Sequence, residues 1–167
     1  MVWGVADFAV FGSLLVGAGV TCEVVVRKTG DSAYRFAIGV AVAAAFLLVF
    51  VNGAVGVIGN EDNDANLMYG GVLAIGIIGA LIARFQPHGM ARALSATVLA
   101  QPLVAVVAVG AGWGSAGPIW PWDILIMTGF FAALWLVSAG LFQKAARAAA
   151  AGVEQRPPDR AACGHDG

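Results

Sequence analysis

Charge is what this sequence has least of. Only 11% of its 167 residues are charged, whereas 60% are hydrophobic; soluble domains carry roughly 25% charged and about 45–50% apolar residues. A water-soluble fold of this size has too little interior to hide so much apolar surface, so the composition indicates a chain solvated by lipid. A net charge of −1 offers no attraction to a polyanion, and nucleic acid is not expected as a partner. Cysteine is scarce as well. Cys22 falls in an apolar run and Cys163 near the C-terminus, so the two are not expected to meet in a disulfide, and no CxxC or CxxCH spacing supports thiol redox chemistry or attached haem. The two histidines, His88 and His165, both lie outside the apolar runs, which leaves a membrane-buried haem or chlorophyll without a ligand. There is no Ser/His/Asp or Cys/His set for hydrolysis, no GxGxxG after a strand and no Walker lysine. These absences argue against an enzyme and leave no cofactor expected. The apolar N-terminal run is not expected to be a signal peptide: no Lys or Arg precedes Arg27, and Asp7 sits where a signal peptide would be positive.

Long apolar runs are what the sequence has instead. A helix needs about 20 apolar residues to cross the hydrocarbon core. Five segments qualify: Phe8–Val26, Phe36–Gly59, Leu67–Ala83, Ala93–Ala111 and Ile124–Phe142. A backbone in lipid must satisfy its own hydrogen bonds, and the alternating strands of a β-barrel are not visible, so the spans are expected to be helices. The expected fold is an all-α integral membrane protein with five transmembrane helices. Residues 1–145 form its single domain, and residues 146–167 form a tail that is briefly helical and then disordered.

The charges orient it. Arg27, Lys28 and Arg35 lie between spans one and two, Arg84 and Arg92 between three and four, and Lys144, Arg147, Arg156 and Arg160 after span five. All nine basic residues thus fall on one side, whereas Asp7, Glu61, Asp62, Asp64 and Asp123 lie on the other. The positive-inside rule places the basic side in the cytoplasm, with the N-terminus outside and the C-terminus inside. Any other number of spans would scatter these charges over both faces. Trp3, Trp113, Trp120 and Trp122 fall near the outer boundary, where indole rings favour the interface.

Few residues offer chemistry. Between spans two and three lie three acids and three amides, Gly59-Asn60-Glu61-Asp62-Asn63-Asp64-Ala65-Asn66. Glu61, Asp62 and Asp64 could hold a divalent cation weakly, although the spacing is not that of an EF-hand. The simpler reading is a solvated outer loop in which Asn63 or Asp64 caps the next helix. Asn52 in span two and Gln101 in span four, next to Pro102, are amides in hydrocarbon. Either they hold helices together, or they line a polar path at a bend. Glu23 sits one turn from Arg27, within reach of an ion pair. Gly53, Gly56 and Gly59 in span two, with Gly71, Gly76 and Gly79 in span three, suggest a close contact between those two helices.

The run Val51-Asn52-Gly53-Ala54-Val55-Gly56-Val57-Ile58-Gly59, with Glu61-Asp62-Asn63 and Ala65–Tyr69 after it, resembles a family of small uncharacterised bacterial inner-membrane proteins. The stretch Ile82–Leu94 is similar to that family as well. The resemblance covers spans two to four, about half of the chain. It implies a bacterial inner membrane and transfers neither an activity nor a site residue. The expected role is a non-enzymatic accessory or assembly partner in the lipid bilayer, acting with another membrane protein or as a homo-oligomer. The rival is a small oligomeric transporter or channel subunit with Asn52, Gln101 and the acidic loop along its path.

Overall fold

The computed structural model describes residues 5–28, 30–59 and 63–154. Among them the chain forms five α-helices and no strand: α1 (Val5–Lys28), α2 (Ser32–Ala54), α3 (Leu67–Ile82), α4 (Pro87–Gly110) and α5 (Trp122–Glu154). Four helices are long and apolar enough to cross a membrane: α2, α3 together with the 3₁₀ turn before it (Asp64–Asn66), α4, and α5 as far as Val153. In α1 the apolar stretch found among the described residues is shorter, Leu15–Val24.

Local chemistry sets the helix starts. Asp31 is extended, and its side chain accepts from the Ala33 amide at 2.8 Å, a cap worth about 0.5–2 kcal/mol. The Asn63 side chain accepts from the Ala65 amide at 3.0 Å and so starts the 3₁₀ turn into α3. Pro87 opens α4 after an extended Gln86, because its ring pre-sets the helical φ and its missing N–H has no helical partner to lose.

Two expected boundaries shift. Span two ends at Ala54 rather than at residue 59. The amides of Val55 and Gly56 both turn back to the Val51 carbonyl at 3.0 Å, and Gly56 adopts φ +76°, a left-handed conformation that ends a helix. Val57 and Ile58, expected within the helix of span two, instead fold into the core from a loop. Span four begins six residues early, at Pro87 rather than at residue 93. Residues 146–154, the part of the tail expected to be briefly helical, continue α5 without a break and lengthen it to Glu154, since their alanines are the strongest helix formers. The remaining tail, residues 155–167, lies outside the described residues.

In the bundle, α4 packs most extensively against α5, α5 also packs along α2, α3 lies on α4, and α1 rests on α2. Consecutive helices α2 and α3 scarcely touch. The expected glycine contact between spans two and three is therefore corrected. A Cβ on Gly79 would lie 2.6 Å from the Ala93 Cβ, and one on Gly76 would lie 3.1 Å from Thr97 Oγ1, so these glycines admit α4. Gly71 faces open space. Gly53 is exposed near the end of α2, and Gly56 and Gly59 have left the helix altogether. Gly59 serves a different approach. It has φ +79° and meets Gly114 (φ +77°) backbone to backbone, a Cβ on Gly114 falling 2.9 Å from the Gly59 nitrogen. The α2–α3 connection and the turns between α4 and α5 are thereby locked together at one end of the bundle.

Candidate functional site

Three places gather polar or open features. At the acidic end, a pocket of about 360 Å³ lies between the end of α2 and the start of α3, lined in part by Asn52, Asn63, Asp64, Asn66 and Tyr69. Asn66 is its organising residue. Its buried Oδ1 accepts from the Val57 amide at 3.0 Å and the Ile58 amide at 2.9 Å, which fastens the incoming loop to the head of α3. Asn52 donates through Nδ2 to the Leu48 carbonyl at 2.9 Å, while its buried Oδ1 has no partner. Asp64 is exposed at the rim. The structure thus brings together Asn52 and Asp64, two of the residues singled out in the sequence. Glu61 and Asp62 lie outside the described residues. No three His, Cys, Asp or Glu side chains converge among the described residues.

Gln101 lies elsewhere, in the packed core. It is fully buried, and neither Oε1 nor Nε2 has a partner. Pro102 follows it and withholds the N–H that would otherwise reach the carbonyl of Val98. One turn towards the basic end, Thr97 donates to the Ala93 carbonyl at 3.0 Å. On other helices, the Tyr69 and Thr128 hydroxyls meet at 3.4 Å, and Ser138 donates to the Ala37 carbonyl at 2.7 Å, tying α5 to α2. Where α2 and α3 diverge, an apolar cavity of about 140 Å³ opens above Thr97 and Trp135.

The basic end is held differently. The Tyr34 hydroxyl donates to the Phe85 carbonyl, and its ring meets Phe142 edge-on at 5.2 Å. The turn that it clamps carries two left-handed residues, Arg84 (φ +48°) and Phe85 (φ +57°), each strained by of order 1–3 kcal/mol. Glu23 and Arg27 pair at 2.7 Å, both exposed, a contact worth little in stability. At this end a groove of about 400 Å³ runs between α4 and α5, with His88, Arg92 and Ser95 on one wall and Gln143 and Arg147 on the other.

Sequence reasoning did not single out Asn66, Thr97 or the Gly59–Gly114 approach. Asn66 carried a usable signal, an amide immediately before an apolar helix. The other two depend on which helices and loops meet, and sequence spacing is silent on that. No family model, curated protein or solved structure matches the chain.

Proposed function

We propose that the chain is a non-enzymatic, multi-pass protein of a bacterial inner membrane that acts as an accessory or assembly partner of a larger membrane protein. It has five spans in this reading, with α1 as the first, the N-terminus outside and the C-terminus in the cytoplasm. The observation that carries the role is a packed core between the helices. Leu48, Val72 and Phe131 are almost wholly buried, as is Gln101, and side chains so placed support a packed scaffold rather than a conduit. The orientation rests on the segregation of basic residues. In support of a separate first span, α1 leans on α2 and exposes Leu15, Val16 and Val20, surface suited to lipid or to a partner helix.

The rival reading, a small transporter or channel subunit, is favoured by one feature, the unpartnered Gln101 amide near the middle of α4. Purified protein in sealed vesicles separates the two. The scaffold reading expects ion leak equal to that of empty vesicles; a selective flux that Gln101→Leu abolishes would establish the rival. Reporter fusions test the topology: one after residue 167 should be active only in the cytoplasm, and one inserted at Asp62 only outside. A periplasmic signal at the C-terminus would overturn the five-span arrangement.

A further inference from the structure

The groove between α4 and α5 collects positive charge at one depth of the bundle. Its walls are helical faces: positions 88, 92 and 95 recur along α4, and 143, 147 and 150 along α5. Arg92 and Arg147 are both exposed, and neither appears in an ion pair among the described residues. None of the side chains lining the groove is a carboxylate. Pro87 places the first turn of α4 beside it with no side-chain cap, and the free N–H groups of that turn add partial positive charge.

Depth identifies what the groove would meet. If Gly110 and Asp123 mark one edge of the hydrocarbon, Arg92 lies 18 residues away along α4 and Arg147 lies 24 residues away along α5. At 1.5 Å per residue these are about 27 Å and about 36 Å, and the hydrocarbon core is about 30 Å thick. The two guanidinium groups therefore bracket the level at which lipid phosphates reside. A guanidinium matches a phosphate with paired N–H donors, and Gln143 and His88 add polar contacts at the same level.

We propose that this groove is a binding site for the headgroup of an anionic phospholipid, with Arg92 and Arg147 on its phosphate and the acyl chains lying along the exposed apolar flanks of α4 and α5. The site requires only that this end of the bundle reaches a bilayer surface, so it stands or falls independently of the accessory role.

The test uses the full chain in bilayer nanodiscs of phosphatidylcholine, with and without phosphatidylglycerol, and follows both thermal unfolding and retention of labelled phosphatidylglycerol. The expected result is a rise in the unfolding midpoint with phosphatidylglycerol, as ligand linkage requires, and roughly five-fold weaker retention for each of Arg92→Gln and Arg147→Gln. Both residues are exposed, and an unchanged midpoint in phosphatidylcholine alone checks that the variants fold. Arg35→Gln, an exposed charge on α2 outside the groove, should retain the full response. Equal loss in Arg35→Gln would reveal only the general attraction of a basic surface and would overturn the site. So would an equal midpoint shift from inorganic phosphate in phosphatidylcholine discs, which would make the groove a soluble-anion site, or a full response in the double arginine variant.

Discussion

Replacing Gln101 by Leu should stabilise the protein. The amide is fully buried, and neither its oxygen nor its nitrogen has a partner. An unsatisfied buried polar group costs about 1–3 kcal/mol, and leucine removes that group at similar volume without opening a cavity. Amides in a membrane find partial partners in the unfolded state as well, which favours the lower half of the range, about 1–2 kcal/mol. For a chain of this length each kcal/mol moves the thermal midpoint by about 2–4 °C. Unfolding of the purified protein in detergent, followed by helical circular dichroism, should therefore show a rise of a few degrees for Gln101→Leu. Gln101→Ala separates removal of the polar group from loss of volume, because it removes the amide but leaves a void whose cost offsets the gain. A fall of more than about 1 kcal/mol in Gln101→Leu, the size of a lost hydrogen bond, would refute the reasoning. It would mean that the amide is satisfied in the membrane by water or by a bound solute, and the packed-core argument for a scaffold would fail with it.

Asn66→Ala should destabilise by about 2–4 kcal/mol, since it strands two buried backbone amides, Val57 and Ile58; detergent unfolding measures it, and a loss below about 1 kcal/mol, within one hydrogen bond, would mean that the loop re-pairs. Gly79→Leu should separate α3 from α4 and lower the midpoint strongly, whereas Gly71→Leu, facing open space, should leave it near wild type; equal effects would contradict the α3–α4 contact. Gly114→Ala combines a left-handed backbone with a 2.9 Å approach to Gly59 and should cost more than about 1 kcal/mol, with increased protease sensitivity in the turns after α4 as a second readout. Arg27→Gln should change stability by less than about 1 kcal/mol, and less still in high salt, because its pair with Glu23 is exposed.

Apolar length by itself pointed to helices suited to crossing a membrane, and among the described residues four helices are long and apolar enough to do so. It was legible because a span is a local property: about 20 consecutive residues either suit hydrocarbon or they do not. The Asn63 cap and the Glu23–Arg27 pair were legible for the same reason, each lying within a turn of its partner. Helix ends were less so. Nothing in the apolar run through Gly59 marks Ala54 as the last helical residue, because the stop depends on a left-handed Gly56 and on burial of Val57 and Ile58 among other helices. Glycine spacing suggested a close helix contact but could not name the neighbour. Only the tertiary structure decided that Gly76 and Gly79 receive α4, that Gly59 meets Gly114, and that Asn52 shares a pocket with Asp64 while Gln101 stands apart in the core. The physical reason is that a membrane-embedded sequence is apolar on nearly every face. Hydrophobic periodicity, which tells inside from outside in a soluble helix, carries little information here, and the choice of neighbour passes to steric fit and a few hydrogen bonds.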